Sequence, residues 1–152
     1  MEGSNKPKTI TRHFFAGTYA ERMDGKNRVN VPLVWRHILK DKVVMTRSAG
    51  GCLSMWTLDF FEYYAIRKLN GCTTMEEVDT VRRFFIGSSK TVDIDSKGRM
   101  WIPDELLNVF DADEEMYFIG VGDYIEVWSK ELFDSWKEEQ IIKETPEKHL
   151  AE

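Results

Sequence analysis

Cysteine and histidine are scarce in this chain, with two of the first and three of the second among 152 residues. Cys52, Cys72, His13, His37 and His149 show no metal-ligand spacing, which excludes a zinc module, and two thiols make no disulfide framework. Each cysteine reads as a structural thiol in a reducing cytosol. Long apolar runs are also missing: no stretch reaches the roughly 18 residues that a membrane span needs. Met1 to Arg12 is polar and lacks the apolar middle of a signal peptide. These absences lead to the expectation of a cytoplasmic protein with no metal, no cofactor and no membrane partner. No nucleophile, acid–base pair or metal set stands together, so neither a catalytic residue nor a small-molecule substrate is expected.

Enough apolar character is present for a core, at 42% hydrophobic and 12% aromatic residues. The net charge of −5 argues at first against a nucleic-acid partner. Its distribution argues otherwise. Residues 1–100 carry 17 Lys/Arg against 11 Asp/Glu, whereas residues 101–152 carry 4 against 15. A basic stretch and an acidic one are hidden in one total, and what matters for DNA is whether positive charge gathers on one surface.

The chain is a doubled unit. Asp24, Arg28 and Pro32 recur 71 residues later as Asp95, Arg99 and Pro103. A Phe-Phe-x-Gly segment precedes each motif, at Phe14 to Gly17 and Phe84 to Gly87. An apolar run, a glycine turn and a tryptophan follow each, ending at Trp56 and Trp128. Five features in the same order mean duplication.

Periodicity supplies the elements of one unit. Thr18 to Glu21 and Thr91 to Ile94 read as strands entering turns at Asp24–Arg28 and Asp95–Arg99. Alternating Val29, Val31 and Met100, Ile102 read as returning strands, and Pro32 and Pro103 sit where short helices begin. Two more strands and a longer helix complete the unit. The fold class is α+β: two tandem β-barrel or hairpin modules with flanking short helices, related by a pseudo-twofold. The expected organisation is a flexible basic extension (1–12), a first repeat (13–67), a linker (68–83), a second repeat (84–136) and a charged tail (137–152). Within the linker, Thr74 before Met75-Glu76-Glu77 reads as a helix cap.

The turns are the candidate functional elements. Asp24 and Asp95 organise them by accepting backbone N–H bonds, and Asn27 and Gly98 suit positive φ. As a catalytic dyad the two aspartates fail, because the Asp-Thr/Ser-Gly turns and the much longer chain of such enzymes are missing. Arg28 and Arg99 can donate bidentate hydrogen bonds to guanine, Lys26 and Lys97 can neutralise phosphates, and Asn27 can alternatively read adenine. Backbone N–H groups at Gly25, Asn27 and Gly98 are placed to approach the strand closely. Trp35, Trp56, Trp101, Trp128 and Trp136 read first as core; Trp101, directly beyond the second turn, is the one whose exposure needs checking. Arg47, Arg82 and Arg83 either extend the basic surface or pair with the acidic half across a subunit contact.

Two copies of Asp-x-x-x-Arg, each followed by an aliphatic strand and proline, resemble the MraZ family, which belongs with the AbrB-like DNA-binding folds. The resemblance runs from about Phe14 to Trp136 through Phe15 to Tyr19, Thr46-Arg47, Gly51-Cys52-Leu53, Arg83-Phe84-Phe85 and Gly120 to Trp128. It implies a nucleoid-associated transcriptional regulator whose partners are promoter direct repeats, upstream of division and cell-wall genes, and further copies of itself in a ring. It places the DNA contacts at Lys26, Asn27, Arg28, Lys97, Gly98 and Arg99. The sequence departs from the family in a longer basic N-terminal extension, in Ala16 where members often have arginine, and in Gly25 and Asn27 of the first turn. A second reading, motivated by the acidic surplus and the altered first turn, is a ring-forming protein-interaction scaffold without DNA binding.

Overall fold

A computed structural model describes residues 10–108, 110 and 115–143 of the chain. Most of the expected basic extension and the end of the charged tail (residues 1–9 and 144–152) lie outside the described residues.

The first copy supplies strands β1 (Phe15–Arg22), β2 (Arg28–Asn30), β3 (Lys42–Arg47) and β4 (Leu53–Trp56), with helices α1 (Leu33–Leu39) and α2 (Leu58–Asn70). Helix α3 (Met75–Thr80) runs into a π-helical turn (Val81–Ile86). The second copy supplies β5 (Lys90–Asp93), β6 (Arg99–Trp101), β7 (Glu115–Gly122) and β8 (Ile125–Ser129), with α4 (Asp104–Leu107) and α5 (Lys130–Lys143). Each element has a local cause. In α3 the Thr74 hydroxyl accepts from Glu77 N at 3.1 Å, while Glu77 Oε1 accepts from Thr74 N at 3.0 Å, which closes a reciprocal cap. Pro32 and Pro103 take extended φ/ψ directly before α1 and α4, one position outside the helix.

All strand pairings are antiparallel, in a six-stranded sheet of order β1-β7-β8-β4-β3-β5 and a two-stranded ribbon β2-β6. Replacing each strand by its counterpart in the other copy reverses this order onto itself. The register obeys the same exchange. Val29 pairs with Met100, its own counterpart, so that Arg28↔Trp101 mirrors Asn30↔Arg99. Ser54 likewise pairs with its counterpart Glu126, and Leu53↔Val127 mirrors Met55↔Ile125. The duplicated sequence therefore folds about a pseudo-twofold through the ribbon and the sheet centre.

Two expectations need revision. The copies are not self-contained modules: β1 pairs with β7, β5 with β3, β2 with β6 and β4 with β8, so each copy hydrogen-bonds chiefly to the other. Barrel closure is not seen either, because among the described residues no pairing joins the outer strands β1 and β5. The two Phe-Phe-x-Gly segments also differ in structure. Phe15 opens strand β1, whereas Phe84 and Phe85 continue the helical course of α3. The reason is packing: Phe85 is buried against Trp56, and its carbonyl accepts from the buried Thr46 hydroxyl at 2.6 Å.

One core gathers Val29, Val31, Met100 and Ile102 with Met45, Leu53, Phe118 and Val127, drawing on both copies. A second cluster is built on Trp56, which stacks on Tyr124 at 4.1 Å and meets Phe60, Phe61, Tyr64 and Phe85. Such aromatic pairs each add roughly 0.5–1.5 kcal/mol beyond the area they bury. The close approach of β1 and β7 rests on Gly120, where a Cβ would lie 2.4 Å from the Ala16 nitrogen. Among the described residues no helix is long and apolar enough to cross a membrane.

Candidate nucleic-acid interface

The two turns repeat one hydrogen-bond network. Asp24 Oδ1 accepts from Lys26 N at 2.9 Å and Arg28 N at 3.0 Å, while Oδ2 accepts from Arg28 Nε at 2.7 Å. Asp95 does the same with Lys97 N, Arg99 N and Arg99 Nε, each at 2.9 Å. Asp24 N donates to Arg28 O and Asp95 N to Arg99 O, both at 2.8 Å. The positive φ that each turn requires falls on Asn27 (61°) and Gly98 (79°), residues that tolerate it.

Backbone N–H donors, above all that of the arginine four residues on, hold the Asp24 and Asp95 carboxyls below the ordinary carboxylate range. A lowered carboxyl pKa stabilises the fold fully above the unfolded value, and that contribution is lost as pH falls through the folded value. Around neutral pH both aspartates are therefore ionised and keep their turn hydrogen bonds.

Holding Nε on a carboxylate leaves the two terminal nitrogens of each guanidinium directed elsewhere. Neither arginine gives them a hydrogen-bond or ion-pair partner among the described residues. Lys26 and Lys97 are exposed and form no ion pair among the described residues. Directly paired residues share a face of a ribbon. Arg28, Asn30, Arg99 and Trp101 thus stand on one face of β2-β6, and Val29 and Met100 are buried on the other. Strand geometry sets the two arginine Cα atoms about 8 Å apart, from a rise of ~3.4 Å per residue and a strand spacing of ~4.8 Å. The turns, far apart in sequence, flank a single small platform.

Two contacts at this platform were invisible to sequence reasoning. Trp101, 48% exposed, lies under the Arg28 guanidinium at 5.7 Å, a cation–π contact between the copies. Arg36, on α1, donates from Nε to Val31 O at 2.9 Å and packs on the second turn, where a Cβ at Gly98 would lie 2.3 Å from that Nε. Only the cross-copy register brings either residue there, and no local pattern signals it.

Gly98 is buried beneath Arg36; its N–H donates to Asp95 O at 2.9 Å and its carbonyl accepts from Val31 N at 2.8 Å. The Asn27 N–H is likewise spent on Asp24 O, at 3.1 Å. The backbone N–H groups of these two residues are spent within the turns that they shape. Arg47 donates to Glu105 O at 2.7 Å, joining the copies within one chain, and Arg83 lies 3.9 Å from Asp79. Trp35, Trp56 and Trp128 are core, whereas Trp136 is half exposed. Burial pushes the Cys52 thiol up to about 12, leaving it an inert packing residue.

Comparison with known proteins agrees with the doubling. A family model described as MraZ protein matches twice, over residues 14–82 and 85–152. The chain is 32% identical over 129 residues to the transcriptional regulator MraZ of Mycoplasmoides gallisepticum, covering 85% of this chain and 91% of that one. The protein of the same name from Mesoplasma florum is 32% identical over 124 residues, covering 81% and 85%. That from Caldanaerobacter subterraneus subsp. tengcongensis is 29% identical over 135 residues, covering 88% and 94%.

Proposed function

The chain belongs to the MraZ family, and we propose that it is a sequence-specific transcriptional regulator that binds short direct repeats in promoter DNA as a ring-shaped homo-oligomer. The observation that carries this reading is the shared platform: two carboxylate-braced arginines, an asparagine and an exposed tryptophan on one ribbon face, flanked by turns that each carry an exposed lysine. A major groove about 12 Å wide admits a two-stranded ribbon, and two arginines about 8 Å apart fit within one groove. Arg28 and Arg99 read guanine edges, Lys26 and Lys97 sit against phosphates, and Asn27 offers an adenine contact at the first tip. Asp24 and Asp95 fix the arginine forks, so little rotamer freedom is lost on binding.

One platform neutralises few phosphates, which limits the affinity of a single subunit. Subunits linked in a ring add their contacts by effective concentration, and the acidic second half faces away from DNA or mates with a neighbour. The nucleoid is then its place of work, and the promoters of division and cell-wall genes its targets, in keeping with the family resemblance.

The test is a titration of repeat-containing duplex against wild type, Arg28→Ala and Arg99→Ala at two salt concentrations. Wild type is expected to bind in a salt-sensitive manner, and each substitution to weaken binding by about 1–3 kcal/mol per lost guanine contact. If the wild-type chain leaves repeat DNA unbound at low salt, the scaffold reading replaces this one.

A further inference from the structure

A face built on a pseudo-twofold carries an ambiguity. Exchange of the copies maps Arg28 onto Arg99 and Lys26 onto Lys97, so the four cations look alike from either direction, and the turns differ at Gly25 against Ser96 and Asn27 against Gly98. The groove of a base pair has an approximate dyad of its own. A symmetric platform laid in it binds equally well in either orientation. A ring holds its subunits pointing the same way, so what the face has to set is the direction in which they all lie along the direct repeats.

On the ribbon face the break lies in one pair of counterparts, Asn30 and Trp101. Arg28 stands across from Trp101 and is drawn over its ring at 5.7 Å, while its counterpart Arg99 stands across from Asn30. Two equivalent arginines therefore have unlike neighbours. Nearly half of the Trp101 surface is exposed although Trp35, Trp56 and Trp128 are buried. An indole offers an apolar surface that suits a thymine methyl group, whereas an asparagine amide suits the paired donor and acceptor of adenine. At the second turn Arg36 packs on Gly98, and its sequence counterpart at the first is Leu107, so a second asymmetry lies behind the face.

We infer that Trp101 sets the polarity with which each subunit sits on its DNA repeat, packing its exposed indole against a thymine methyl beside the guanine read by Arg28. The inference rests on the DNA-binding reading above. It adds that orientation comes from the ribbon face itself. Trp101→Asn makes the four ribbon residues symmetric in one way, and Asn30→Trp does so in the other.

The test uses a duplex with a single repeat and a cleaving iron chelate on Gly25→Cys in a Cys72→Ser background. Gly25 is an open attachment point, since a Cβ there meets nothing within 4 Å, and Cys52 is buried. The chain that keeps Trp101 and Asn30 is expected to cut on one side of the repeat. Both symmetrised chains are expected to cut on both sides with comparable strength, a loss of at least a tenfold bias. One-sided cutting by either symmetrised chain overturns the inference while leaving DNA binding intact. Loss of one-sidedness in Arg36→Leu with retention in Trp101→Asn moves the role to Arg36 and overturns it as well. Failure of the wild-type chain to bind even a duplex carrying several repeats overturns the DNA-binding reading, and the inference with it.

Discussion

Replacing Asp95 with alanine is expected to weaken binding to repeat-containing DNA by roughly tenfold, although the change removes a negative charge. Counterion release alone predicts the opposite, since a more positive protein holds phosphates more tightly. The geometry sets the sign. Asp95 receives three hydrogen bonds from its own turn and fixes Arg99 through Nε at 2.9 Å. Without it the turn loses its organiser and the guanidinium fork is no longer held toward the groove. Asp93→Ala is the matched control. It removes the same charge two residues earlier, from a carboxylate that pairs with Lys42 at 2.6 Å and takes no part in the turn. Its binding should equal or exceed wild type in the same anisotropy titration. Tighter binding by both variants would reduce the turns to bulk electrostatics.

The second large effect concerns the fold. A fragment ending at residue 82, which contains the whole first family match, is expected not to fold as a monomer. Severing the chain removes the partners of β1, β2, β3 and β4 in the other copy, and leaves β3–β4 as the one strand pairing of the first half. A lone two-stranded hairpin is marginal in water. The fragment has two outcomes, an unfolded chain or a homodimer in which a second copy supplies the missing strands by the same pseudo-twofold. Sedimentation with an amide correlation spectrum distinguishes them. A dispersed spectrum from a sedimenting monomer would contradict the strand exchange.

Much of this arrangement was legible in the residues. The doubling, the Asp-x-x-x-Arg turns, the helix after each proline and the Thr74 cap are all local, and local chemistry determines them. Asn27 and Gly98 stand at the positive-φ positions because few other residues tolerate them. What escaped was partner choice. Alternating Val29 and Val31 signal a strand with one buried face, but period two is silent on whether the neighbour comes from the same copy or the other. The barrel-like modules and the separate tips both follow from assuming the nearer neighbour. The same blindness hid Trp101 beneath Arg28 and Arg36 against Gly98, contacts made between copies. The repeated Phe-Phe-x-Gly segment carries no structural signal of its own: Phe15 opens a strand, whereas at Phe84 and Phe85 helix α3 and the Trp56 cluster impose a helical turn.

The central claim is that DNA lies on the exposed face of the β2-β6 ribbon. Its most direct test is photocrosslinking from a benzoylphenylalanine placed at Asn30, on that face, or at Ile66, exposed on α2. With repeat-containing duplex at low salt, crosslinks are expected from position 30 and not from position 66. Crosslinks from position 66 with none from position 30 would contradict the account.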